Sequence, residues 1–229
     1  MMEIDHNSKQ IIQWDVATWI KALNFWDLNV NWEKVHVCLE LGGRQGGLSL
    51  WLALKNKHVI CSDLENVKQS AGPLHNAYGV EHLIEYKDID ATNIPYKNHF
   101  DLIVFKSIIG GIAKDSGIET QQKVFEEIRK ALKPGGILLF AENLVASPLH
   151  KFARKKFNKW GSYWRYITIQ ETKSFLKEYK SVHFNTTGFS AAFGRNETQR
   201  YSLAKLDNML LNKITPASWK YVVYGMAEK

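Results

Sequence analysis

Cysteine is scarce in this chain: Cys38 and Cys61 are the two in 229 residues, each lies inside an apolar strand-like run, and neither belongs to a C-x-x-C. That excludes a disulfide framework or a thiolate metal cluster as the source of stability, and both thiols are expected to be buried and reduced. Long hydrophobic runs are also missing, since none approaches the roughly 18 uncharged residues that a membrane span requires. The opening "MMEIDHNSKQ" has no basic patch followed by an apolar core and a small-residue cleavage site, so the expected location is cytoplasmic. There is no internal repeat, low-complexity tract or Pro/Ser-rich linker, which leaves a single domain over 1–229 as the expectation. A chain of this length can build a core that needs no staple. Histidines 58, 75, 82 and 99 are scattered among segments, so no metal site is expected.

Present instead are 45% apolar and 23% charged residues, the composition of a globular protein, with a formal charge of +7. Such a charge would suit an anionic partner if it were clustered. The densest run, "HKFARKKFNKW" (150–160), spreads its basic positions around a helix and leaves Phe152, Phe157 and Trp160 for packing, which reads as a solvated face. Nucleic acid is therefore disfavoured as a partner.

Ile12, Val16, Trp19, Leu23 and Trp26 recur at steps of three and four, which predicts one long amphipathic helix over 8–27 within an N-terminal segment 1–30. Strand-like runs follow at 35–41, 58–63, 83–89, 101–107 and 136–142, separated by helix-like segments, and this alternation implies a parallel sheet with crossover helices in a 35–142 core. One of those helices, 119–132, is stopped by "KPGG" before the next strand. Beyond 142 the pattern gives helices near 148–160 and 170–179 and strands near 181–187 and 218–226. A further helix over 198–214, after an Asn196 or Thr198 cap, is inserted between these strands. That insertion is expected to shape either an acceptor pocket or a homodimer surface.

The stretch "VCLELGGRQGGLSLWLAL" (37–54) runs a strand into Gly42, Gly43, Gly46 and Gly47, a turn that offers bare backbone and a helix N-terminus to a nucleotide-like ligand. Neither glycine register fits G-x-G-x-x-G, and no Lys follows until Lys55, so the nicotinamide and nucleoside triphosphate fingerprints are both absent. Glu40 ahead of the glycines would repel a pyrophosphate and welcome a cation. Asp63, at the end of the second strand, is placed to accept from both hydroxyls of a ribose.

With "ELGGRQG", "CSDLE", "DATNIPY", "HFDLIVF" and "LKPGGILLFAE" in this order over 35–142, the sequence resembles the class I S-adenosylmethionine-dependent methyltransferases. The resemblance implies a Rossmann-like α/β fold: a seven-stranded mostly parallel sheet with helices on both faces, an antiparallel final strand and a helical insertion before it. It implies S-adenosylmethionine as cofactor and S-adenosylhomocysteine as product. By position, Gly42 and Gly46 would let the backbone approach the methionine part, and Glu40 would orient the loop or face the ammonium. Asp63, with Leu64 beside it, would hold the ribose end. Asp90 would accept from the adenine amino group, Ala91 would offer its amide to the ring, and Lys106 and Ser107 would lie near the sulfonium or the acceptor. Arg44 departs from the pattern, replacing its middle glycine, with Gly43 beside it as a source of flexibility.

Methyl transfer to an activated carbon asks the protein chiefly for alignment, exclusion of water and sometimes a base. His150 is the candidate base, with a surface histidine of no role as the rival reading, and Glu142 closes the fifth strand. Tyr163, Trp164, Arg165 and Tyr166 are candidates for stacking on an acceptor or for packing on the sheet edge. Trp14, Trp19 and Trp26 read as helix core, with a substrate wall as the rival reading because an N-terminal helix can lid this kind of site. The Asn/Asp-Pro-Pro-aromatic motif of DNA amino methyltransferases is replaced by "FKSIIGG". The expected acceptor is a hydroxyl or amine of a small molecule such as a saccharide or other metabolite; the alternatives are a non-catalytic cofactor-binding relative and an RNA methyltransferase.

Overall fold

Runs of β-branched and other apolar residues alternate their side chains between two faces, and in this chain both faces are covered. In a computed structural model, which describes residues 6–113, 117–157 and 164–229, these runs form one seven-stranded sheet in the order β3-β2-β1-β4-β5-β7-β6. The strands are β1 (Val37–Leu41), β2 (His58–Asp63), β3 (Ile84–Asp88), β4 (Phe100–Lys106), β5 (Leu132–Asn143), β6 (Ser181–Thr187) and β7 (Val222–Glu228). β1 to β5 pair in parallel, whereas β7 runs antiparallel to both β5 and β6. The expected sheet is therefore the observed one.

Alternation divides the core. Cys38, Leu102 and Val104 face one layer, packed under α1 (His6–Ile12), α2 (Val16–Asn29), α3 (Gly47–Ala53) and α4 (Val67–Ala77). Leu39, Ile103 and Phe105 face the other, which includes Val124, Phe125 and Ile128 of α6 (Gly117–Ala131) and Phe175 of α8 (Ile169–Phe175). Between β1 and β4 the strand order reverses, and this switch point opens a crevice at the carboxyl ends of the strands.

The first helix departs from its expected form. It breaks at 13–15, where Gln13 and Asp15 adopt φ of 72° and 48°, and the chain turns between α1 and α2. The amides exposed by the break donate to one carboxylate, Glu197, from Asp15 (2.8 Å) and Val16 (3.2 Å). Glu197 opens α9 (Glu197–Leu206), the start of the inserted helix, whose cap is Asn196, accepting from the Gln199 amide at 2.9 Å. The insertion continues through a π-helical turn, Asp207–Leu211, to Ile214. There the buried Asp207 accepts from the amides of Phe189, Ser190 and Ala191 at 2.9, 2.8 and 3.1 Å. A second difference lies at "KPGG": β5 begins already at Leu132, paired with Phe100, and the glycine pair forms an irregularity inside the strand, with Gly135 at φ 76°.

Both cysteines are free and buried, on neighbouring strands β1 and β2, and burial pushes both thiols well above their usual range. A thiol-reactive disulfide reagent is therefore expected to label neither in the native protein and both after denaturation. Fast labelling of either thiol in the folded state would contradict this packing. No helix among the described residues is long and apolar enough to cross a membrane.

Candidate active site

The glycine turn leaves β1 with three residues in the left-handed region: Gly42 at φ 64°, Arg44 at 48° and Gly46 at 72°. At Gly42 a Cβ would collide with Ile108 Cγ2, so the close approach of the loop after β4 also requires glycine. The turn is fastened to the end of β2. Gly43 donates to Ser62 O at 2.8 Å, and Asp63 accepts from the Arg44 amide at Oδ2 (2.8 Å) and from the Leu64 amide at Oδ1 (2.7 Å). Arg44 thus occupies the backbone conformation that the family pattern gives to glycine, at a cost of about 1–2 kcal/mol, and its side chain is exposed at the rim.

Glu40, for which a role in orienting the loop or facing the ammonium is expected, makes its contacts behind the glycine turn. Its carboxylate is buried and accepts from the Leu48 amide (3.2 Å), the Ser49 amide (2.8 Å) and the Ser49 hydroxyl (2.5 Å), all at the start of α3. Burial pushes its pKa up to about 7, against the opposing pull of those donors. These bonds tie the end of β1 to the start of α3 across the glycine turn.

Leu64 is 68% exposed beside Asp63, a large apolar side chain open to solvent at the mouth of the crevice. With Ile89 and Ala91 it lines the same cleft as the glycine turn, a slot suited to a planar apolar ring. Asp90 is fixed there by its own turn, Oδ1 accepting from the Thr92 amide and hydroxyl at 2.8 Å each. The cleft measures ≈ 2330 Å³, more than the roughly 300–1,000 Å³ of a single ligand pocket. It has room for two molecules side by side.

Its second half lies between the α1–α2 break, the end of β4 and the insertion. Lys106 is half-buried, with its ammonium 4.8 Å from the ring centres of both Trp14 and Trp19. Burial lowers it to about 8. Trp14, freed by the break, lines the cleft, while Trp19 and Trp26 are fully buried core as expected. Asp15 accepts at Oδ2 from the Tyr221 hydroxyl at 2.5 Å, whereas its Oδ1 is buried without a hydrogen-bond partner. Burial pushes Asp15 up to about 6. The sequence patterns singled out neither Asp15 nor Tyr221.

His150 does line the cleft, but its geometry withholds the function expected of it. Nε2 is 2.8 Å from Phe189 O, so it carries the proton, and Nδ1 is 2.7 Å from the Ser147 hydroxyl, which must then donate to it. Both nitrogens are spent, and burial pulls the ring below its usual range. The expectation of a base at 150 is corrected to a structural histidine. Glu142 is likewise occupied, accepting from the amides of Ile108 (2.9 Å), Ile109 (2.8 Å) and Asn143 (2.7 Å).

Of the aromatic group expected near 163–166, Tyr163 lies outside the described residues, as does Trp160. Trp164 lines the cleft and rests against Gly110, where any side chain would collide with its indole. Arg165 turns away and bonds Gln121 and Glu171. Tyr166 stacks with Arg154, whose Cζ is 3.7 Å from the ring centre and whose guanidinium donates to Leu144 O (2.9 Å) and Val145 O (3.0 Å). Among the described residues no group of three or more His, Cys, Asp or Glu side chains could hold a metal.

Residues 39–140 match the model of a methyltransferase domain. A glycine/sarcosine/dimethylglycine N-methyltransferase of Actinopolyspora halophila is 32% identical over 118 residues, 49% of this chain and 20% of that protein. Among solved structures, phosphoethanolamine N-methyltransferase 2 of Haemonchus contortus, in complex with S-adenosyl-L-methionine, superposes with a TM-score of 0.65 at 18% identity, covering 92% of this chain and 52% of that one. The [4+2]-cyclase SpnF superposes with a TM-score of 0.61 at 16% identity, covering 92% and 80%. This chain therefore spans a fifth of the first relative and about half of the second. At such identities the superpositions speak for the fold, which also hosts a cyclase. With the glycine turn, the acid ending β2 and the antiparallel β7 all in place, the chain has the Rossmann-like fold seen in these methyltransferase structures, and its residues 39–140 are similar to a methyltransferase domain.

Proposed function

We propose that the chain binds S-adenosylmethionine in the half of the cleft between the glycine turn and Asp90, and passes its methyl group to a hydroxyl or amine of a small molecule in the other half. The observation that carries this reading is Asp63: a carboxylate at the carboxyl end of β2, tied to the glycine turn, with exposed Leu64 beside it in the cleft. The residues present fit the cofactor. Each oxygen of Asp63 accepts one backbone amide and retains a lone pair for a ribose hydroxyl. Asp90 has committed Oδ1 to Thr92, leaving Oδ2 for an amino group, and Ala91 adds its backbone amide. Glu40 holds the turn open from below.

When bound, the cofactor supplies a methyl carbon already activated by its sulfonium, so the protein contributes alignment and dryness. Trp14, Trp164 and Tyr166 wall the far half of the cleft and restrict water there. The exposed position of Arg44 keeps its charge at the rim. A non-catalytic cofactor-binding protein is the second reading, favoured by the spent nitrogens of His150.

Isothermal titration with S-adenosylmethionine, S-adenosylhomocysteine and NAD tests the first part. Saturable binding of the two methyl cofactors and none of NAD is expected; a folded protein that binds neither would remove the basis of the reading. Methylation of any amine or hydroxyl acceptor, in proportion to the protein added, would then dismiss the non-catalytic alternative.

A further inference from the structure

The far half of the cleft holds two charged groups that the fold leaves incomplete. Lys106 makes no hydrogen bond and no ion pair among the described residues; its ammonium is steadied only by the faces of Trp14 and Trp19. Asp15, 2% exposed, keeps Oδ1 buried and unpartnered. The carboxylates that act electrostatically on Lys106 are Asp15, Glu142 and Glu40, opposed by Arg44. Glu142 and Glu40 are consumed by backbone amides, as described above, so neither neutralises it by contact. Asp15 attracts Lys106 with no hydrogen bond or ion pair between them, so the cation and the buried Oδ1 each lack a polar contact among the described residues.

A buried charge without a partner is costly, and cation–π contact offsets only part of that cost. The cleft wall also carries Arg154, Arg195 and Arg200; Arg154 is taken up by the Leu144 and Val145 carbonyls and Arg200 by Glu197, which leaves Arg195 as a second cation beside Lys106. A cationic acceptor would meet the like charges of Lys106 and Arg195 there. A neutral one would leave Lys106 stranded.

We infer that the acceptor is a small anion bearing a hydroxyl or amine, whose carboxylate or phosphate is held by Lys106 and whose nucleophilic group donates its hydrogen bond to Asp15 Oδ1. The juxtaposition defines a two-point subsite: Lys106 sets the charge of the substrate, and Asp15 turns its nucleophile toward the end of β4. The inference rests on the methyltransferase reading above and narrows its acceptor.

Release of S-adenosylhomocysteine is measured with amines and alcohols offered as matched pairs, carboxylate against carboxamide and phosphomonoester against parent alcohol, with the wild type, Lys106→Met and Lys106→Arg. Turnover confined to anionic members is expected, with at least a ten-fold loss of kcat/KM in Lys106→Met, carried mainly by KM and partly restored in Lys106→Arg. Whether the carboxylates or the phosphates respond identifies the anion. Equal turnover of a neutral partner, or an unchanged KM in Lys106→Met, overturns the inference. Should no pair be methylated, tryptophan emission of the protein saturated with S-adenosylhomocysteine is titrated with acetate and with inorganic phosphate at constant ionic strength. A saturable change that vanishes in Lys106→Met supports the subsite, because Trp14 and Trp19 flank the ammonium; no change with either anion refutes it. Failure of S-adenosylhomocysteine to bind the folded wild type would instead count against the methyltransferase reading itself.

Discussion

Asp63→Ala is expected to weaken S-adenosylhomocysteine binding by about 1–3 kcal/mol, roughly 5- to 150-fold, while the protein remains folded. Two losses coincide in this variant. Ribose hydroxyls would enter the cleft without their acceptor, and the Arg44 and Leu64 amides would lose the carboxylate that fastens the glycine turn to β2. Those amides are exposed, so water replaces the carboxylate and little stability is lost. Asp63→Asn should fall between the variant and the wild type, because an amide oxygen accepts one of the bonds while its NH2 confronts the other donor. Titration calorimetry paired with thermal unfolding checks both halves. An Asp63→Ala protein with wild-type affinity would remove Asp63 from the site, and one that no longer folds would show that its role is structural.

How much of this was legible beforehand depended on how local the causes were. The strands could be read because continuous apolar runs reflect burial on both faces, and the turn because φ above zero favours glycine. Asp63 was legible by its place after β2. The break at 13–15 was not, since Ile12, Val16 and Trp19 keep helical spacing straight through it. What opens the helix there is tertiary: Glu197 lies 182 positions from Asp15, and Tyr221 lies 206 away. The same break delivers Trp14 and Asp15 to the cleft, so the residues that sequence periodicity assigned to plain core include part of the candidate acceptor wall. His150 failed as a base for a related reason. Ser147, three residues away, occupies one ring nitrogen, and the Phe189 carbonyl, 39 positions on, takes the other. Arg165 was named from its aromatic neighbours, yet Gln121 and Glu171 draw it out of the cleft.

Gly46→Ala should damage the molecule from the same turn by a different route. At φ 72° the alanine pays about 1–2 kcal/mol for left-handed backbone, and its Cβ would overlap His75 Nε2 and lie 2.8 Å from Ala71 Cβ. His75 has little freedom to yield. It is fully buried, its Nε2 is bonded to Gly46 O at 2.8 Å, and its Nδ1 is bonded to the Tyr86 hydroxyl at 2.8 Å. Overpacking of this kind adds about 1–3 kcal/mol, and the sum corresponds to a Tm lower by roughly 4–20 °C for a chain of this size. Relief by moving α4 off the turn would displace the loop that Asp63 fastens, so cofactor affinity should fall with stability. Gly72→Ala, in the same α4 with nothing within 4 Å of the added carbon outside its own helix and chain neighbours, is the control and should change stability by less than about 1 kcal/mol, because the gain in helix propensity is opposed by crowding from the ring of Pro73. A large loss at 46 beside a small change at 72 would locate the constraint at the contact between α4 and the glycine turn; a tolerated alanine at 46 would mean that His75 can leave its two hydrogen bonds, and that the turn is not held from behind.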